Sequence, residues 1–323
     1  MMAVTRDSVG WEARPCGPSR GVRPDAELTL DVDSLPIEVH GHQPKAEWNG
    51  HYRARISHPL VTSVASRRRR AFGTTTGDLL DARFRPGNVG TAEGARDVIA
   101  GVVDRAQASL CEVAMVRIDA GFPSATLLAG LEARGIDYVA RLRANPALDR
   151  LAAPHMKRPP GRRPTEPRMW LHTLDYQADS WDRPRRVVLV VKERPDDLLL
   201  DRFFLVTSLG PEEMSRQEVL DHYRERGTAE GHMGELKDVL APALSSTNRP
   251  KSHWRGRKPR SAADAVDAFA CNEVRLLVSM LAYQVMHIAR RAMAHATATG
   301  WSLAACASVS SARVPGSSSR PGA

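Results

Sequence analysis

Residues 28–35 (LTLDVDSL) alternate apolar and polar side chains, the period of a strand with two unlike faces. Asn49-Gly50 is a turn signal, and residues 52–56 and 60–65 read as two further short strands. Together the three predict an antiparallel meander, followed by a polar loop at residues 73–77. The period then changes. Val98, Ile99, Val102, Val103, Ala106 and Leu110 recur at helical spacing, which predicts a helix over residues 91–110 with Thr91 as its cap. Residues 113–118 are a short apolar strand run ending at Asp119. Gly121 supplies a turn, Pro123 suits the first position of a helix, and Gly135 stops that helix after Arg134. Residues 136–142 return to a strand pattern. Strand, helix and strand of this length make a βαβ unit with parallel strands. The fold class predicted is α/β: a mixed sheet flanked by helices.

Further along, residues 156–168 are basic and rich in proline, the composition of a linker. Residues 187–191 and 203–208 read as an inserted hairpin. Ser215 and Glu218 have capping-box spacing and open a helix. Residues 248–260 (NRPKSHWRGRKPR) form a basic loop, and residues 262–296 carry a long helical pattern in which Phe269 and Met280 read as core. The expected organisation is a disordered lead-in at 1–27, one folded unit at 28–301 with a β-rich insertion at about 156–210, and a disordered tail at 302–323.

Charge narrows the partner. The chain has 323 residues, a formal net charge of +9 and a pI near 9.8. Such a surplus favours a polyanion, and nucleic acid is the first choice. An anionic membrane would want a basic amphipathic helix with large apolar anchors, and the sequence offers none. The four cysteines, Cys16, Cys111, Cys271 and Cys306, are scattered, so neither zinc spacing nor a disulfide framework is present. A reducing, cytoplasmic setting fits. No apolar run reaches the length of a membrane span.

Three places could carry chemistry. Asp31 and Asp33 are two apart on the first strand, so both share one face while Leu30 and Val32 take the other. Either is a solvated strand residue or part of a polar site. Asp119 sits at the carboxyl end of a parallel strand, where α/β sheets place their sites; its plainer reading is a turn aspartate. Tyr223, Arg226, Glu230 and Lys237 follow one another at intervals of three, four and seven. On a continuous helix they share a stripe, which would otherwise be an exposed, salt-bridged face. Gly227, Gly231 and Gly234 weaken that helix by about 1 kcal/mol each relative to alanine; a kink at Gly227 would split the stripe in two and leave the relation of Glu230 to Lys237 intact. Three carboxylates from two strands and a helix suit two-metal phosphoryl transfer, with hard oxygen ligands selecting Mg²⁺, or Mn²⁺ in its place.

The spacing Tyr-x2-Arg-x3-Glu-x6-Lys resembles the signature around the glutamate of DDE transposases from bacterial insertion sequences. LTLDVDSLPIEVHGHQ (28–43), NGHYRARISHPL (49–60), VRIDAGFPS (116–124) and GTAEGHMGELKDVLAPALSS (227–246) resemble the group-1 DDE-domain type, in order along the chain. The resemblance implies an RNase H-like catalytic domain that cleaves DNA at transposon ends and transfers the strand to a target. It implies Asp33, followed by the small hydroxyl residue Ser34, as the first metal ligand, with Asp31 as the alternative. Asp119 and Glu230 would be the second and third. Glu225 and Glu235 are the glutamates to rule out. Tyr223, Arg226 and Lys237 would contact DNA, and the partners would be double-stranded DNA and a second copy in a homodimer. Only about thirty residues precede Asp33, and the last residues are of low complexity, so a truncated, inactive remnant with residual DNA binding is the alternative. Among lesser signals, His40, His42, His51 and His58 lack a convincing zinc spacing. Arg67 to Arg70 reads as a solvated basic run, and Trp254 in the basic loop could stack on a base.

Overall fold

The structure, a computed structural model, describes residues 26–40, 43–68, 74–162, 164–242, 244–245 and 267–311. The chain opens with β1 (Ala26–Ser34). A small three-stranded sheet follows, made of β2 (Ile37–Glu38), β3 (Glu47–Asn49) and β4 (Ala54–Ser57) in the order β2-β4-β3. Next come β5 (Leu60–Arg68), β6 (Thr74–Arg83), α1 (Ala95–Ser109), β7 (Glu112–Ile118), α2 (Ala125–Ala133), β8 (Asp137–Leu142) and α3 (Pro146–Ala152). The strands β9 (Arg168–Tyr176), β10 (Arg185–Glu193) and β11 (Asp201–Thr207) precede four helices: α4 (Arg216–Arg224), α5 (Arg226–Asp238), α6 (Ala268–Thr297) and α7 (Leu303–Ser311).

Eight strands form one sheet in the order β6-β5-β1-β7-β8-β11-β10-β9. β1, β5 and β6 run antiparallel in succession, whereas β7 joins β1 in parallel and β8 joins β7 in parallel. That order and those directions are an RNase H-like core, a mixed sheet flanked by helices. Alternation explains β1: Leu28, Leu30 and Val32 enter the core with α1 and α2, while Asp31 and Asp33 face the other way. Burying side chains of this size contributes roughly 1.5–3 kcal/mol each. β10 has no such alternation. Residues 187 to 191 are wholly buried, with Val187, Leu189 and Val191 in one cluster and Val188 and Val190 in another. A strand covered on both faces reads as a continuous apolar run.

Several sequence expectations are corrected. The meander is β1, β5 and β6; β4 belongs to the small sheet instead. The polar loop expected at 73–77 is instead the start of β6, whose stretch, TTTGDLLDAR, offers little apolar periodicity; as the sheet's edge strand it is held by backbone pairing to β5. The insertion is three strands rather than a hairpin, and β11 pairs antiparallel with β8, so the insertion lengthens the main sheet. α1 starts after Gly94, which takes φ 68°, and not after Thr91. The carbonyl of Thr91 accepts from Arg85. Ser124 caps α2 by accepting from the Leu127 N–H at 3.2 Å, which leaves Pro123 just outside the helix. Gly121 is needed for space: a Cβ there would lie 2.8 Å from Thr91 Cγ2. α6 begins at Ala268, capped by Asp267. α7 occupies part of the stretch read as disordered tail. Residues 1–25, Arg69, Arg70 and the basic loop with Trp254 lie outside the described residues.

Candidate active site

The last bonded pair between β1 and β7 is Val32 with Ile118. One step beyond it come Asp33 and Asp119, at the carboxyl ends of neighbouring parallel strands. Between them the sequence supplies an apolar stretch to bury and then a polar residue to end on. Asp33 accepts from the Ser34 N–H at 2.8 Å.

Helices α4 and α5 close over these strand ends. The capping box is present: Ser215 accepts from the Glu218 N–H, and Glu218 accepts from the Ser215 N–H. The helix breaks at Glu225, two residues before Gly227. A tertiary contact accounts for the place. Arg117 Nη1 donates to the His222 carbonyl at 3.0 Å and to Glu225 Oε2 at 2.7 Å. In an unbroken helix the His222 carbonyl would take the Arg226 N–H.

Arg117 and Asp31 are both fully buried and joined as a fork, with Nε to Oδ1 at 2.8 Å and Nη2 to Oδ2 at 2.6 Å. Burial pushes the Asp31 carboxyl up, and the Arg117 fork works against that shift. This geometry commits Asp31 to Arg117 and leaves Asp33 as the β1 carboxylate at the cleft. Sequence reading missed Arg117 although it lies inside the VRIDAGFPS block. The available signal was a charged residue between Val116 and Ile118 in a strand built for burial.

Arg226 is buried as well, and it joins two carboxylates: Nη2 lies 2.8 Å from Asp33 Oδ2, and Nη1 donates to Glu230 Oε1. Sequence had assigned Arg226 to DNA; it is found between two of the predicted ligands. Burial raises the Asp33 pKa to about 6, Arg226 opposes the shift, and the charges of Glu230 and Asp119 add to it. Tyr223 donates its hydroxyl to Asp119 Oδ1 at 3.2 Å. Burial, then the Asp119 charge, push the Tyr223 phenol up to about 12. Lys237 lies two turns further along α5 and is exposed. Glu235 points elsewhere: it accepts from Arg290 at 2.6 Å and from the Leu303 N–H at 3.2 Å, tying α5 to α6 and α7.

Asp33 and Asp119 line a cleft of about 920 Å³. Trp48, Tyr52 and Arg143 form its far walls. The small sheet holds that wall in place: Asn49 Nδ2 donates to the Gly87 carbonyl, and its side-chain Oδ1 accepts from the His51 and Tyr52 N–H groups. Among the described residues no three His, Cys, Asp or Glu side chains gather tightly enough to cage a metal ion, and Arg226 pairs with both Asp33 and Glu230. The donors that would face a cation are all carboxylate oxygens, which suit Mg²⁺ or Mn²⁺, and the concentration of negative charge there is the kind a divalent cation neutralises. Among the described residues the histidines form no rival metal site, and His42 lies outside them. His58 is buried against the Val89 carbonyl, and His51 is exposed.

No curated protein sequence matches the chain. Among solved structures it is similar to the piggyBac transposase synaptic complex with hairpin DNA, at 12% identity and a TM-score of 0.39, over 80% of this chain and 54% of that one. The chain thus spans about half the length of that transposase. The family described as transposase DDE domain group 1 matches residues 20–256, well over half of the sequence and all of the cleft, and the chain belongs to that family.

Proposed function

We propose that this chain is an insertion-sequence transposase that cleaves DNA at transposon ends and transfers the freed strand to target DNA, acting in the cytoplasm as a homodimer. The observation that carries this reading is the placement of Asp33 and Asp119 side by side at two parallel strand ends, with Glu230 drawn to Asp33 through Arg226. Asp33, Asp119 and Glu230 would hold Mg²⁺, with Mn²⁺ as its substitute. A bound pair of such ions lowers the pKa of an attacking water and neutralises charge on the leaving oxygen. The protein's own part is positional. Tyr223 fixes the Asp119 carboxylate by its hydroxyl. Arg226, once released from the carboxylates, is placed to pair with a backbone phosphate, and exposed Lys237 extends the same cationic track along α5. Phosphate contacts of this kind fix register on the duplex and weaken with salt.

A second reading has its own observation. With Arg226 neutralising Asp33 and Glu230, the domain could bind DNA without cutting it, as an inactive remnant. One experiment separates the two: cleavage of double-stranded DNA carrying the terminal repeats that flank the gene, with Mg²⁺. The expected result is cleavage by the parent and a loss of at least about a hundredfold in Glu230→Gln, the scale on which removing one transition-state-stabilising group acts. Unchanged cleavage in Glu230→Gln overturns the ligand assignment. Binding of the same DNA with no cleavage by the parent supports the remnant.

A further inference from the structure

Helix α6 has two apolar sides, and only one of them is used. Leu276, Tyr283, His287 and Arg290 are buried against the body of the protein. Gln284 donates to the Leu79 carbonyl at 2.6 Å, and Arg290 pairs with Glu235. On the opposite side Val274, Val278, Leu281, Val285 and Ile288 are 57–65% exposed, and Leu277 beside them is 39% exposed. Among the described residues nothing covers this stripe.

The five residues are separated by four, three, four and three positions. That is the heptad seam of a coiled coil, which needs an apolar residue every 3.5 positions on average. A helix packed on a globular core shows a wider and less regular stripe, as the buried side of α6 does. The seam continues to Ala292 at one end and Cys271 at the other. Val278 and Val285 take one of the two core positions, and Val274, Leu281 and Ile288 take the other. A β-branched residue at the first with leucine at the second favours two strands, the combination found at the centre of the seam, where Leu281 lies between Val278 and Val285. Five such side chains at these exposures present on the order of 500 Å² of apolar surface, near the top of what a monomer leaves uncovered. The same area approaches the ~600 Å² each partner gives up in a small stable dimer.

We infer that this face of α6 is a dimer interface, and that its occupant is the same face of a second copy of this chain. A seam with this period is complementary to itself. Of its flanking positions, Leu277, Ala282, Gln284 and Ala289 carry no charge, while Arg275 and Arg291 lie toward its two ends, so the middle of the seam brings no like charges together. The chain's remaining segments are poor candidates. Residues 1–25, 246–266 and 312–323 are rich in Gly, Pro, Ser and Arg, and none offers large apolar residues at three-and-four spacing. The inference deepens the homodimer in the proposed function but does not depend on the catalytic reading, since pairing along the seam needs neither DNA nor metal.

The test is light scattering coupled to size exclusion on the full chain, without DNA, over a broad concentration range. The parent is expected to move from monomer to dimer with concentration. Leu281→Lys/Val285→Lys should stay monomeric throughout, with unchanged circular dichroism, because both positions are exposed in the single chain. A parent that is monomeric at every concentration overturns the interface. So does a double variant that still dimerises, and so does one that fails to fold, because a seam needed for folding is covered by its own chain. Leu281→Cys, at the middle of the seam, reads out independently: mild oxidation should link two chains through that residue in excess of the parent with its own cysteines. Absence of that link counts against pairing through the seam. Failure of DNA cleavage would leave every one of these outcomes unchanged.

Discussion

Two arginines sit within one corner of this molecule, and their surroundings differ. Arg117 has a partner for each of its three nitrogens: Asp31 takes Nε and Nη2, while His222 and Glu225 take Nη1. Its principal carboxylate is as buried as it is. Arg226 also bridges two acids, but Asp33 and Glu230 are partly open to solvent, and its buried Nε has no hydrogen-bond partner. A fully satisfied buried network locks a structure in place, whereas a partly satisfied one can exchange partners at lower cost. Arg117 therefore reads as the clamp that fixes the α4–α5 corner. Arg226 reads as a cation that a metal or a phosphate can displace.

The largest predicted effect tests the clamp. Arg117→Met leaves Asp31 charged, buried and alone, and removing one partner of a buried pair costs about 3–5 kcal/mol. Chemical unfolding should show that loss, and Arg117→Lys should not recover it, since an ammonium cannot reproduce the two-pronged fork. A loss near zero would show that the corner is held by packing alone.

Next in size is the same substitution at the cleft. Arg226→Met is expected to cost only roughly 1 kcal/mol, because half-exposed Glu230 is screened by water. Its sharper consequence is for Mn²⁺, which should bind more tightly once the competing guanidinium is gone. An isothermal titration in which Arg226→Met binds Mn²⁺ no better than the parent would remove the distinction between the two arginines.

The same contrast explains what the sequence disclosed. β1, β7, α2 and the Ser215 capping box were legible because each is encoded locally, by period or by a cap. The short βαβ unit disclosed the parallel β7–β8 pair, but not the parallel β1–β7 pairing between strands far apart in the chain, which brings Asp33 next to Asp119. β6, α3 and β9 were not read, since edge strands and short helices draw their stability from neighbours rather than from their own pattern. Propensity marks Gly227 as a weak point of the helix, but the break falls at Glu225, where Arg117 pulls from another strand. Propensities of about 1 kcal/mol give way to buried charged contacts worth several times more. The role of Arg226 was hidden for the same reason: spacing placed it on a stripe with Glu230 but could not show that Asp33 lies within reach.

The last effect is a dependence on pH, and its sign bears on the cleft. Asp33 has a folded pKa of about 6, raised by burial from an ordinary value of 3.8. The folded state therefore holds this proton more tightly than the unfolded one. The contribution of Asp33 to stability is greatest below 3.8 and is lost as pH rises through about 6. His287 acts oppositely over part of that window, since burial and then Arg290 lower it to about 4, and it disfavours the folded state as pH falls below its ordinary 6.5. The difference between the parent and Asp33→Asn cancels His287 and isolates Asp33. In metal-free buffer Asp33→Asn should gain on the parent in thermal stability as pH rises from 5 to 7, and the gain should level off above that. Added Mn²⁺ should reverse the sign, because a metal requires the deprotonated carboxylate and stabilises the parent increasingly over the same interval. If Mn²⁺ leaves the difference between the two proteins untouched at pH 7, Asp33 is a buried acid held by Arg226 and takes no part in binding a cation.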